Sequence, residues 1–193
     1  MKARIASIAA LALAGCAIVP EAPGPQQQFF QRLLSLCGAA YEGRVVTSDD
    51  ADRDFAASRL LMHVRTCSAD EVRIPFHVGN DHSRIWVISR TADGLRLKHV
   101  HRHQDGSEDV LSQYGGDTVS SGTARRQQFP ADRYSRELFV REDIPQSAGN
   151  IWAVEVAPDQ IFAYELRRPG RFLRVEFDIT LPVSPPPAPW GER

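Results

Sequence analysis

Lysine is almost missing from this chain: among its 23 basic residues only Lys2 and Lys98 are lysine, and the rest are arginine. Basic charge is not in surplus either, with 24 acidic residues against those 23, and a chain so balanced lacks the electrostatic footprint of a nucleic-acid binder. Arginine is the better bidentate partner for carboxylate and phosphate, yet a bias spread over the whole chain reflects genome composition rather than one anion site. The recognisable catalytic signatures are missing as well. No GxSxG elbow, HExxH, CxxC, P-loop or GxGxxG occurs, which excludes the common nucleophile, zinc and phosphate arrangements. Cysteine is scarce, at three residues, so each one has to be accounted for singly.

What is present begins with MKARIASIAALALAGC, where Lys2 and Arg4 precede an apolar core from Ile5 to Ala14 that is too short to span a bilayer. This reads as an export signal. Leu13, Ala14, Gly15 and Cys16 resemble the lipobox of bacterial lipoprotein signal peptides. That resemblance implies cleavage after residue 15 and a diacylglycerol plus an amide-linked acyl chain, palmitate for example, on Cys16. Such chains bury tens of methylenes at about 0.8 kcal/mol each, which makes an effectively permanent membrane anchor. Ala17 rather than Asp after the cysteine implies, on the same resemblance, the outer membrane, facing the periplasm. The alternative is an ordinary secretory signal that happens to end near a cysteine. With Cys16 lipidated, Cys37 and Cys67 remain as an even pair in an oxidising compartment. A disulfide between them would close a loop of about thirty residues and stabilise the fold by roughly 3 to 4 kcal/mol; two buried free thiols are the alternative.

The chain is expected to divide into a signal peptide (1–15), a lipidated cysteine with a flexible tether (16–28), a single domain (29–182) and a disordered proline-rich tail (183–193) in which Trp190 either frays or docks a partner. Within the domain, FFQRLLSLCGAAY has the apolar spacing of a short amphipathic helix. Strand-period stretches follow: YEGRVV, RLLMHVRT, EVRIPFHV, SRIWVISR, LRLKHVHRH, a poorer TARRQQF, NIWAVEV, QIFAYELR and RFLRVEFDIT, separated by short turn signals. PADRYSRELFVRED interrupts them as an inserted helix capped by Asp132. Consecutive strands joined by tight turns are antiparallel neighbours, and closing the sheet removes its two edges. The expected fold is therefore mainly β: a closed or nearly closed antiparallel up-and-down barrel of about nine strands, calycin or lipocalin-like, with a short N-terminal helix and one inserted helix. Tyr114-Gly115-Gly116-Asp117 is expected to be a loop.

The stretches LCGAAYEGRVV, RIPFHVG, LKHVHRHQDGSED, YGGD and YELRRPGRFLRVEFD resemble a family of uncharacterised bacterial secreted proteins and lipoproteins, from about Phe29 to Thr180. The resemblance implies one exported domain and no particular chemistry.

On LRLKHVHRH, the residues Leu95, Leu97, His99, His101 and His103 share one face, opposite Arg96, Lys98, Val100 and Arg102. The imidazoles continue an apolar row and are expected to line the barrel lumen toward its mouth. Histidines two apart in a strand lie about 6.8 Å apart along it, which lets two share a metal, with a third ligand drawn from Asp105, Glu108, Asp109, Asp117, His77 or His82. Three readings stay open. The preferred one has imidazoles hydrogen-bonded to cross-strand partners; the others are a transition-metal or haem contact at His99, His101 and His103, and acid-base catalysis by His101 or His103. RRPGR, Arg167 to Arg171, could meet phosphate or lipid headgroups, or form a hairpin tip whose Arg174 pairs with Glu165 and Glu176.

The expected function is non-catalytic. A lipid-anchored envelope protein would hold a small amphiphilic ligand among Leu95, Leu97, His99, His101 and His103, with no cofactor required. The alternatives are an interaction protein with a filled barrel, bound to another envelope protein, and a histidine-dependent hydrolase or metal-binding protein. A lumen of roughly 300 Å³ or more would favour the carrier over the filled barrel.

Overall fold

Alternating apolar and polar side chains over short stretches, several of them joined by two-residue turns, let most strands pair with the one before them, and the first strand pairs with the last. Residues 22–192 are described by the structure, a computed structural model. The signal segment and Cys16 lie outside the described residues. The strands are β1 (Ala40–Val45), β2 (Leu60–His63), β3 (Thr66–Cys67), β4 (Glu71–Val78), β5 (Asp81–Thr91), β6 (Gly94–His101), β7 (Tyr114–Asp117), β8 (Arg126–Pro130), β9 (Ile151–Ala157), β10 (Ile161–Arg168) and β11 (Arg171–Val183). Ten of them follow one path, β7-β6-β5-β4-β2-β1-β11-β10-β9-β8, and β3 pairs with β4 beside it. Every pairing is antiparallel. The result is a nearly closed, barrel-shaped sheet, as the sequence leads one to expect.

The turns set the register. Thr91 pairs with Gly94 across Ala92–Asp93, which places Trp86 opposite His99 and Arg84 opposite His101. Arg168 likewise pairs with Arg171 across Pro169–Gly170, where Gly170 takes the left-handed backbone at φ +70° that a glycine adopts without penalty.

The seam between β7 and β8 overturns one expectation. YGGD is a strand, and its glycines close the barrel rather than turn the chain. A Cβ on Gly116 would stand 1.8 Å from the Pro130 carbonyl oxygen across the seam, and one on Gly115 would stand 1.9 Å from that of Leu97 on the neighbouring β6, so backbone meets backbone on both sides as only glycine permits. The seam is pinned by α3 (Arg133–Arg141), whose cap residue Asp132 accepts from the Ser135 amide at 2.8 Å. The Asp132 amide donates to the Gly115 carbonyl at 2.9 Å. Ser135 Oγ, fully buried, accepts from the Gly115 amide at 2.7 Å and donates to its carbonyl at 2.9 Å.

One end of the barrel is filled. Helix α1 (Pro25–Ser35) starts within the segment expected to be tether, because Pro25 suits a first helical turn. Its Phe29, Phe30 and Leu33 are fully buried in the main apolar cluster with Leu95, Leu97, Phe129 and Trp152. The opposite end is covered by the β1–β2 connection, a 3₁₀ turn at Asp50–Asp52 running into α2 (Arg53–Ala56). This lid has no counterpart in the sequence-based expectations. Cys37 and Cys67 come together at a Cα separation of 6.3 Å with their sulfurs bonded, the pair expected once Cys16 is set aside.

The proline-rich tail is not a free end either. The Trp190 amide donates to the His82 carbonyl at 3.0 Å, Pro189 is buried, and Glu192 pairs with Arg73 at 3.1 Å. Proline lacks the amide a strand needs, which explains a tail that docks without extending the sheet.

Candidate functional site

Beneath the lid the barrel mouth holds a cavity of about 190 Å³. Its wall comes from inward positions of six strands: Phe76 on β4, Arg84 and Trp86 on β5, His99 and His101 on β6, Tyr114 on β7, Tyr164 and Leu166 on β10, and Leu173 and Val175 on β11. Ala51, Asp52 and Phe55 of the lid complete it, with Arg171 at the rim.

The histidine row divides along its length. Leu95 and Leu97 point inward as expected but are packed under α1, where they belong to the core rather than to the cavity. His99 and His101 do line the cavity. His103, two residues past the end of β6, is exposed and lies 3.7 Å from Asp109, so its ring leaves the shared volume. His99 and His101 thus share one volume and both touch Tyr114, while His103 stands apart. Among the described residues, no group of three or more His, Cys, Asp or Glu side chains is placed to hold a metal ion. Of the further ligands considered, Asp117 pairs with Arg96 at 2.6 Å and Glu108 accepts from Ser112 at 2.8 Å, while His77 and His82 lie together elsewhere at a ring separation of 4.4 Å.

The partners of His99 fix its proton. Its Nδ1 lies 3.2 Å from the Tyr114 carbonyl oxygen, which can only accept, and its Nε2 lies 2.8 Å from the Tyr164 hydroxyl. Burial, with His101 nearby, pushes the His99 pKa down to about 3, so the ring is neutral at pH 7. Nδ1 then carries the hydrogen and Nε2 accepts from Tyr164. Burial first, and then Arg84, holds His101 down at about 4; its Nε2 sits 3.3 Å from the Tyr114 hydroxyl. Burial pushes both tyrosines well above the ordinary phenol range. These two histidines and two tyrosines are therefore uncharged at neutral pH.

The aromatic wall is a column of rings. Phe55 stacks on Phe76 at 6.1 Å, Phe76 on Trp86 at 4.6 Å and Trp86 on Tyr164 at 4.4 Å, with interplanar angles of 22° or less. Sequence reading names none of these four as site residues, although the two-residue turn between β5 and β6 carries the signal for one of them: counting back from it sets Trp86 opposite His99, and Arg84 opposite His101.

Comparisons with protein-family models, with curated proteins and with solved structures find no match to this chain. Function has to be argued from the site.

Ion pairs hold the lid. Arg171 donates to both carboxylate oxygens of Asp52, one at 2.6 Å, and lies 3.2 Å from Asp49. Asp52 is 2% exposed. Arg84, paired with Asp81, sits 5.4 Å over the Phe55 ring. The RRPGR arginines thus have partners within the chain: Arg167, though exposed, lies 4.3 Å over Phe172, and Arg168 donates to Asn150 at 3.1 Å. Arg174 pairs across the strands with Glu165 and with Glu155 at 3.0 Å, and along its own strand with Glu176 at 2.7 Å.

Proposed function

We propose that the chain is a lipid-anchored envelope protein, tethered through Cys16 to the outer membrane on its periplasmic side, whose barrel mouth binds a small ligand without chemistry. The observation that carries this reading is the lidded cavity, where two neutral imidazoles, two tyrosine hydroxyls and a ring column face one volume. A few convergent polar groups set among apolar walls are what a binding pocket needs. The reading also draws on what lies near His101: its ring neighbour is a tyrosine whose hydroxyl holds its proton firmly, and the residues around the cavity include no serine, threonine or cysteine nucleophile.

The volume favours a second reading in one respect. About 190 Å³ is below the roughly 300 Å³ of ordinary ligand pockets, so a long amphiphile does not fit beneath the closed lid. A barrel that is filled at the α1 end and nearly so at the mouth suits an envelope protein that works through its surface. Native mass spectrometry of the protein purified from its own envelope separates the two: a small organic adduct, lost when Trp86 is changed to Ala, supports binding, and a mass equal to chain plus lipid alone overturns it. The anchor has its own check. Cys16→Ala is expected to move the protein from the membrane fraction to the soluble one, and retention on the membrane would refute lipidation at this residue.

A further inference from the structure

The hydrogen bonds around His99 leave the Tyr164 hydroxyl with an unused lone pair in the cavity wall, and it points to a ligand class. Because the Tyr114 carbonyl takes the Nδ1 hydrogen of His99, the Tyr164 hydroxyl has to donate to Nε2 at 2.8 Å. A hydroxyl has one hydrogen and two lone pairs, so Tyr164 spends its only donor on His99 and its oxygen can still accept. Tyr164 is 7% exposed and lines the cavity; what it can receive there is a hydrogen from a ligand.

Shape and charge narrow the class further. Trp86 lies between Phe76 and Tyr164 at 4.6 and 4.4 Å, nearly parallel to both, so both its faces are taken and the column presents ring edges to the cavity. Ring edges carry partial positive charge and pair best with the face of another aromatic ring. The two guanidinium groups in the wall, Arg84 and Arg171, are each tied to carboxylates, so the site does not call for a charged ligand. Cavities on the order of 150 Å³ take up benzene, and about 190 Å³ admits one ring or a fused pair.

We infer that the cavity takes a small, flat, uncharged aromatic molecule carrying one N–H or O–H donor, an indole or a phenol, and that Tyr164 receives that donor. The inference rests on the reading of the barrel mouth as a binding site. Calorimetric titration of the purified full-length protein with 3-methylindole, 1-methylindole and cyclohexanol tests both. The two methylindoles are isomers of one volume, and only the first has a donor. The first is expected to bind about ten-fold more tightly than the second, the size of one net hydrogen bond, and more tightly than cyclohexanol. In Tyr164→Phe the gap between the isomers is expected to fall below about three-fold. Equal affinity of the isomers, a gap unchanged in Tyr164→Phe, or cyclohexanol binding as well as 3-methylindole would overturn the class while leaving a cavity that binds. No binding of any of the three overturns the class and the binding reading together. The isomer comparison uses the unaltered protein, so it decides the matter even if the variant does not fold.

Discussion

His77 is 1% exposed, and neither ring nitrogen has a hydrogen-bond partner. Burial, together with His82 and His63, pushes its pKa down to about 4, so the ring is a neutral polar group whose desolvation nothing offsets. Replacing it with an apolar side chain of similar size is expected to stabilise the fold. His77→Leu should raise the unfolding free energy by about 1 to 2 kcal/mol, measured from urea midpoints at pH 7, and a loss of stability would show that the imidazole is satisfied in solution. Gly116 lies at the other extreme. A methyl group there would meet the Pro130 carbonyl at 1.8 Å, and the backbone on both sides of the seam is fixed by α3. Gly116→Ala should cost about 3 kcal/mol or more, whereas Gly38→Ala, where nothing stands within 4 Å but the backbone is left-handed at φ +86°, should cost about 1 kcal/mol. Similar costs at the two sites would mean that the seam is looser than described.

The lid is the element expected to open first. Its 3₁₀ turn and four-residue α2 are too short to be stable alone, and they stay in place through the Asp52–Arg171 pair and through Phe55, which rests half-buried between Phe76 and Arg84. Elements held by few buried contacts open locally without global unfolding. Phe55→Ala is therefore expected to speed amide hydrogen exchange at residues 51–58 by about ten-fold or more while leaving exchange in β5 and β10 unchanged. Uniform acceleration across all strands would instead make the lid part of the global folding unit.

Over the whole molecule, acid acts through buried neutral imidazoles. In the unfolded chain a histidine takes up its proton near pH 6.5, whereas His77 and His101 do so only near 4 and His99 only near 3 when folded. Between those values the unfolded state binds more protons, so the stability these rings contribute is complete above about pH 6.5 and falls as the pH drops toward 4. Between pH 7 and pH 5 the loss should be on the order of 2 kcal/mol for each fully buried ring. Urea denaturation at the two pH values checks this, and a flat profile would mean that the rings are solvated. The Cys37–Cys67 link closes a loop of sequence separation 30, so reduction should lower the unfolding free energy by about 3 to 4 kcal/mol; an unchanged melting temperature under reductant would remove that contribution.

Alternation and turn chemistry make the meander legible in the residues themselves, because strands of period two joined by Ala92–Asp93 or Pro169–Gly170 have one way to pair. The spacing of Phe30, Leu33 and Leu34 likewise announces α1. Sequence alone also places His99 and His101 on an inward face. What it cannot decide is where along the barrel the filling stops. Leu95 and Leu97 share that face, yet α1 packs over them, and the cavity opens only at His99 because the lid covers a mouth that no helix fills. Tyr164 and Tyr114 reach the same histidines from β10 and β7, which are far apart in the chain, so their meeting depends on closure of the sheet. YGGD looks like a turn because glycine serves turns and close approaches equally well, and nothing local tells the two apart: the Pro130 carbonyl that makes Gly116 necessary belongs to the other side of the seam.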